Sequence, residues 1–203
     1  MFEGFVSAYL SDQLLSWEAG DSQFPTIKEF LKNFGGCSFN NGIYRIFSAS
    51  SVDNWNAVVS RTFPKFNTHI SCFGVDWLGR IFAVDDRRVE NGAPGVVMFE
   101  PGTGDALEVP CNILTFHEEE LIECREEALA ESFYLQWITC GGATPLIDQC
   151  VGYKNPLFLG GLDVVDNLEI SDLDIYWEIF SRLILQSRGV AVGSKIGNVS
   201  IGS

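Results

Sequence analysis

Residues 68–85 read THISCFGVDWLGRIFAVD, two apolar runs on either side of a DWLG turn. Residues 95–110 repeat the arrangement as GVVMFEPGTGDALEVP, with PGTG between the runs. Apolar runs bounded by Asp, Gly and Pro read as hairpins, so the middle of the chain is predicted to supply successive antiparallel strands. Strands in the centre fix what the flanks can be, because a sheet has to be covered.

The flanks carry helical patterns. Residues 2–17 place Phe5, Leu10, Leu14, Leu15 and Trp17 at loosely helical spacing. FPTIKEFLKNFGG carries Ile27, Phe30, Leu31 and Phe34 on one stripe and ends in Gly35-Gly36, a helix-stop signal. NNGIYRIFS predicts a turn feeding a strand, and SVDNWNAVVSRTF a short helix ending at Pro64. TFHEEELIECREEALAESFYLQWITCGG predicts one long helix with a capping box from Thr115 and Glu118. SDLDIYWEIFSRLILQSRG predicts a last helix, with Ser171 as N-cap and Asp172 and Asp174 in the first turn. The tail from Gly189 is expected to form a short strand and a loose end. The fold class is therefore α+β: an antiparallel sheet of central hairpins packed by N-terminal and C-terminal helices. Two parts are expected, 1–112 and a helical part 113–203, in one compact body.

Charge is unevenly placed. The 203 residues carry a net charge of −14, yet residues 100–178 hold 17 acids against Arg125 and Lys154, and the remainder is nearly neutral. Phosphate affinity comes from Lys and Arg, so this span is not expected to bind nucleic acid; its natural complement is a basic protein. On a continuous helix Ile122, Leu129, Phe133 and Trp137 form one stripe, and Glu120, Glu123, Glu127 and Glu131 lie opposite. Four like charges on one face give up i,i+4 stabilisation, which suits a recognition surface; Glu126 has no role in this pattern. The partner-binding residues predicted are Glu119, Glu120, Glu123, Glu127, Glu131, Asp163, Asp166 and Glu169, with Asp76 and Trp77 at the DWLG tip as an anchor if the indole is exposed.

Catalytic signals are weak. GTG in EPGTGD is flanked by Glu100 and Asp105, which repel phosphate, so it reads as a turn. His117 is expected to face solvent at a helix start, without a Ser or Cys nucleophile motif. Asp85-Asp86 and Asp163/Asp166 are the candidates for a divalent cation, and a metal-dependent hydrolase using them is one alternative reading. No cofactor or metal is expected. Cys37, Cys72, Cys111, Cys124, Cys140 and Cys150 form no CxxC pair and are expected to be reduced, buried and structural. The chain lacks a signal-peptide pattern and a stretch of about 20 apolar residues, so a cytoplasmic, non-membrane protein is expected.

Four stretches together, GGCSFNNGIYRIF, FGVDWLGRIFAVD, MFEPGTGDALEVP…FHEEEL and CVGYKNPLFLGGLDVVDNLEISDLDIYWEIF, resemble the bacterial immunity family that joins an N-terminal GAD-like domain to a C-terminal immunity domain and is encoded beside type VI secretion toxins. The resemblance runs from Phe30 to Phe180, with FNNGIYR and YKNPLFLGGLDVVDNLE its most specific parts. It implies a non-enzymatic protein that binds and neutralises a cognate effector, in the best-known branch a nuclease. The other alternative is a regulatory or scaffold module whose partner is not a toxin.

Overall fold

The computed structural model describes residues 1–13 and 26–189. Six strands form one antiparallel meander in chain order: β1 (Ser38–Phe39), β2 (Tyr44–Ile46), β3 (Ile70–Asp76), β4 (Ile81–Glu90), β5 (Ala93–Glu100) and β6 (Asp105–Asn112). The α+β class follows from this sheet and its helices. DWLG and PGTG are the β3–β4 and β5–β6 turns, as their residues predict. Asn40 and Asn41 adopt positive φ in the β1–β2 turn, a conformation Asn tolerates.

Both faces of the sheet are covered. Ile81 and Phe82 are successive and point to opposite faces. Phe82 meets Phe116 at 5.0 Å between ring centroids. Phe99, the cross-strand partner of Ile81, meets Phe63 at 5.1 Å and Phe66 at 4.9 Å. The first face is closed by α1 (Glu3–Ala8) and α2 (Ile27–Phe34), the second by α3 (Val52–Thr62). α2 starts with a capping box between Thr26 and Glu29 and stops at the glycine pair.

The N-terminal helix is shorter than expected. α1 ends at Ala8, Leu10 is exposed, and Ser11 bridges to Phe39 at the sheet edge. Leu14, Leu15 and Trp17, and the predicted tail strand from residue 190, lie outside the described residues.

The predicted long helix is a chain of short pieces. Asn112, not Thr115, caps it: its side chain accepts from the Leu114 and Thr115 N–H groups, while Thr115 Oγ1 accepts from the Asn112 N–H. Then follow α4 (Ile113–Thr115), a π turn (Phe116–Glu120), α5 (Leu121–Glu123), α6 (Arg125–Leu129) and α7 (Glu131–Thr139). Cys124 interrupts the run, and Ala130, at φ 50°, reverses it. A straight helix offers one stripe; the breaks let Phe116, His117, Leu121, Leu129 and Tyr134 all reach the core. Of the predicted stripe only Leu129 is fully buried, with Ile122, Phe133 and Trp137 half-buried.

A second sheet was not legible in the sequence: β7 (Gln149–Tyr153) pairs antiparallel with β8 (Leu168–Asp172). Ser171 therefore lies in a strand, and Asp172 occupies the N-cap position of α8 (Leu173–Ser187). One continuous cluster of buried residues runs from Phe2 to Phe180, across the expected 112/113 boundary.

Candidate functional site

The β3–β4 turn is interior. Trp77 is fully buried, packs against Phe133 and Tyr134 at 5.5 and 5.2 Å, and donates its indole N–H to the Leu129 carbonyl at 2.8 Å. The Asp76 side chain is equally enclosed. Neither belongs to a surface, which corrects their assignment as partner-binding residues. A turn tip is ordinarily exposed, but α6, α7 and β7 close over this one, with the Val151 N–H donating to the Trp77 carbonyl.

Asp76 instead begins a buried ion cluster. Arg80 Nε lies 2.5 Å from Asp76 Oδ2 and 3.7 Å from Glu100 Oε2, and Arg80 Nη2 donates to the Ala128 carbonyl. Burial pushes the Glu100 carboxyl up to about 7, against the pull of Arg80. Tyr153 O–H donates to Asp163 at 2.7 Å beside this cluster, so Asp163 is tied to the β7 strand. The cluster joins the sheet turns to α6 and is a structural clamp.

The two histidines are consumed by the fold. His117 was expected at the surface, yet it is fully buried, with Nδ1 2.7 Å from the Ile113 carbonyl and Nε2 2.9 Å from the Tyr44 hydroxyl. Burial drives its pKa down to about 3, so it is neutral near pH 7. The π turn, invisible in a helical pattern, is what swings it inward. His69 Nδ1 lies 2.7 Å from Asp85, whose carboxylate also accepts from the Arg87 N–H. Asp85 is thus spoken for. Among the described residues no group of three His, Cys, Asp or Glu side chains is placed to hold a metal ion. The cysteines are all free thiols; Cys37, Cys72, Cys111 and Cys150 are buried, Cys124 is half-buried, and Cys140 is exposed, which corrects the expectation for the last two. Cys140 follows the last residue of α7, beyond the core.

Because the helix is broken, its glutamates do not form one face. Glu118 turns back to accept from the Gly4 and Phe5 N–H groups at the start of α1. Glu131 pairs with Arg125 at 3.4 Å and is half-buried. Glu126, unassigned by pattern, accepts from the Ser132 N–H at 2.8 Å and so caps α7 across the Ala130 break. What remains is a set without ion pairs among the described residues: Glu119, Glu123 and Glu127, exposed, and Glu120, half-buried. Glu120, Glu127 and Glu123 converge on Cys124, adding to desolvation in raising its thiol pKa.

The second acidic group sits on a clamped loop. Asn167 donates from Nδ2 to the carbonyls of Asn155 and Leu162 at 2.9 and 2.8 Å and accepts from the Asn155 N–H at 3.0 Å, tying residues 155–167 across their base. The Leu157 N–H donates to the Gly102 carbonyl, anchoring the loop on the β5–β6 turn. On this fixed frame Leu159, Leu162 and Val164 are exposed, Leu162 to 68%, amid the exposed carboxylates of Asp163, Asp166 and Glu169. The acids were predicted from sequence; the apolar side chains between them were not, because PLFLGGL reads equally well as core.

No protein-family model and no curated protein sequence matches this chain. A solved structure, Atu4351 from Agrobacterium tumefaciens, is similar at a TM-score of 0.62 over 89% of this chain and 88% of its own, with 13% sequence identity. At that identity the likeness shows a shared fold. No helix among the described residues is long and apolar enough to cross a membrane.

Proposed function

We propose that this chain is an immunity protein that binds and neutralises a basic toxin, a nuclease effector being the best fit to the charge. The observation that supports the reading is the clamped 155–167 loop, which presents three exposed apolar side chains among carboxylates without ion pairs among the described residues. Protein interfaces combine an apolar centre that loses its water with a polar, charged rim that steers approach. A preorganised loop also spends little ordering entropy on binding. Glu119, Glu120, Glu123 and Glu127 supply a second negative field. A nuclease must present Lys and Arg to phosphates, so an acidic partner can occupy that surface as a polyanion mimic. The commitment of both histidines to the fold favours a binding role over catalysis.

The test is co-purification of the tagged chain from its native host at low and high salt, followed by co-expression of the captured protein with and without this chain. A basic protein, toxic alone and harmless with the chain, is expected. Reversal to Lys at Asp163, Asp166 and Glu169, or at Glu120, Glu123 and Glu127, should slow association and flatten its salt dependence. A captured partner that is not toxic would favour the scaffold reading instead.

A further inference from the structure

Away from both acidic groups, a cleft of about 260 Å³ opens where β2, α3 and the start of α8 meet. Its wall is aromatic: Phe47 stacks on Trp55 at 5.1 Å and an interplanar angle of 15°. Its polar lining includes Asn54, Asp148 and Asp174. The Leu173 N–H donates to the Asp148 carbonyl at 2.9 Å, which holds the two acids side by side. Both carboxylates are exposed and lack an ion pair among the described residues, unlike Glu178 one turn on, which pairs with Arg61 and Arg182.

Arg45, itself buried, also lines the cleft. Its terminal nitrogens donate to the carbonyls of Leu146, Gln149 and Asp76, which leaves its Nε–H without an acceptor among the described residues. With Arg45 counted, the charged lining still holds one negative charge in excess. The cleft therefore offers two carboxylates and a flat aromatic wall.

The volume falls below the range of about 300–1,000 Å³ usual for small-molecule sites and suits a single side chain. Beyond Asn54 and Asp174 lies a shallower groove of about 440 Å³ between α3 and α8, lined by Val58, Ile175 and Ile179 and by Glu178 in its pairs with Arg61 and Arg182. That groove gives a peptide backbone somewhere to run.

We infer that this cleft receives one arginine side chain of a bound protein partner, its guanidinium set against Asp148 and Asp174 beside Trp55 and its main chain in the α3–α8 groove. Arginine is selected over lysine because a planar cation with five donors can serve two carboxylates and lie against an indole, which a point charge cannot. The inference rests on the proposed binding of a basic partner and names one of its contacts, on a face separate from the clamped loop.

The experiment is an NMR titration of the intact chain with acetyl-arginine-N-methylamide, reading the Trp55 indole N–H and the Asn54 side-chain amide. Saturable shifts confined to this cleft are expected, with an affinity on the order of millimolar. The neutral isostere acetyl-citrulline-N-methylamide should bind at least about tenfold more weakly, a difference of roughly 1.4 kcal/mol. The double variant D148N/D174N, both positions exposed, should fold normally and lose the response. Equal binding of the citrulline compound, shifts elsewhere, or tighter binding of spermidine would overturn the assignment. If the captured toxin associates equally well with D148N/D174N, the cleft is not a contact, while the acidic-surface reading stands on its own loop variants.

Discussion

The indole N–H of Trp177 donates to the carbonyl of Gly79 at 2.8 Å, joining α8 to the β3–β4 turn. Gly79 lies at φ 79°, and a Cβ there would meet Cys150 at 3.2 Å and the Tyr176 ring at 3.3 Å. Two long-range elements thus converge on one residue where a side chain would crowd its neighbours.

Gly79→Ala should destabilise the protein by about 2 kcal/mol or more, from left-handed backbone strain plus the tight contacts. Urea unfolding followed by tryptophan fluorescence measures it. A loss below about 0.5 kcal/mol would show that the turn relaxes freely.

Ala130→Gly should act in the opposite direction. Ala130 sits at φ 50°, where a Cβ costs about 1–2 kcal/mol, and glycine returns roughly 0.5–1 kcal/mol of that as backbone entropy. A net gain of about 0.5 kcal/mol in unfolding free energy is expected, with the α6–α7 break retained.

The pH dependence pits two buried groups against each other. Glu100 has its pKa raised from 4.5 to about 7, so its contribution falls as pH rises through that interval. His117 has its pKa lowered from 6.5 to about 3, so its contribution falls as pH drops below 6.5. Between pH 4.5 and 6.5 these slopes oppose, each at most about 1.4 kcal/mol per pH unit. Glu100→Gln removes one of them. The variant should lose stability on acidification through this window more steeply than the parent, by up to about 1.4 kcal/mol per unit. Parallel denaturation curves for the two proteins from pH 4.5 to 6.5 would contradict this account.

Asn167→Ala should unclamp the 155–167 loop at a cost of about 1–3 kcal/mol, since it removes three hydrogen bonds from the buried Asn167 side chain to Asn155 and Leu162, each worth about 0.5–1.5 kcal/mol net. Hydrogen exchange should accelerate at Asn155 and Gly161 while the amides of β3–β5 stay protected. On the proposed binding role, capture of a basic partner should weaken although no exposed side chain of the loop has changed.

What the sequence makes legible is local. The four strands from Ile70 to Asn112 announce themselves because their turns carry Asp, Gly and Pro between apolar runs. α2 does so because Ile27, Phe30, Leu31 and Phe34 keep a helical stripe that stops at Gly35-Gly36. The segment after Asn112 misleads because it holds no Gly or Pro before Gly141 and most of its residues are fair helix formers, so the breaks at Cys124 and Ala130 are imposed by tertiary packing. The pairing of β7 with β8 spans a long loop, so no short-range turn signal marks it. Among site residues, exposure of Glu119, Glu123, Glu127, Asp163, Asp166 and Glu169 follows from charge alone. The burial of Asp76 and Trp77 does not, because the elements covering them lie 50 and more residues downstream in the chain.

Phe2, Phe5 and Phe30 from the first half close around His117 from the second, with ring centroids 5.6, 5.0 and 4.4 Å away. Neither half can therefore be traded for a homologous segment by recombination without opening a void lined with aromatic rings. On the proposed binding role, such a chain has to change specificity by point substitution on the outer loops, while its interior drifts only through compensated pairs.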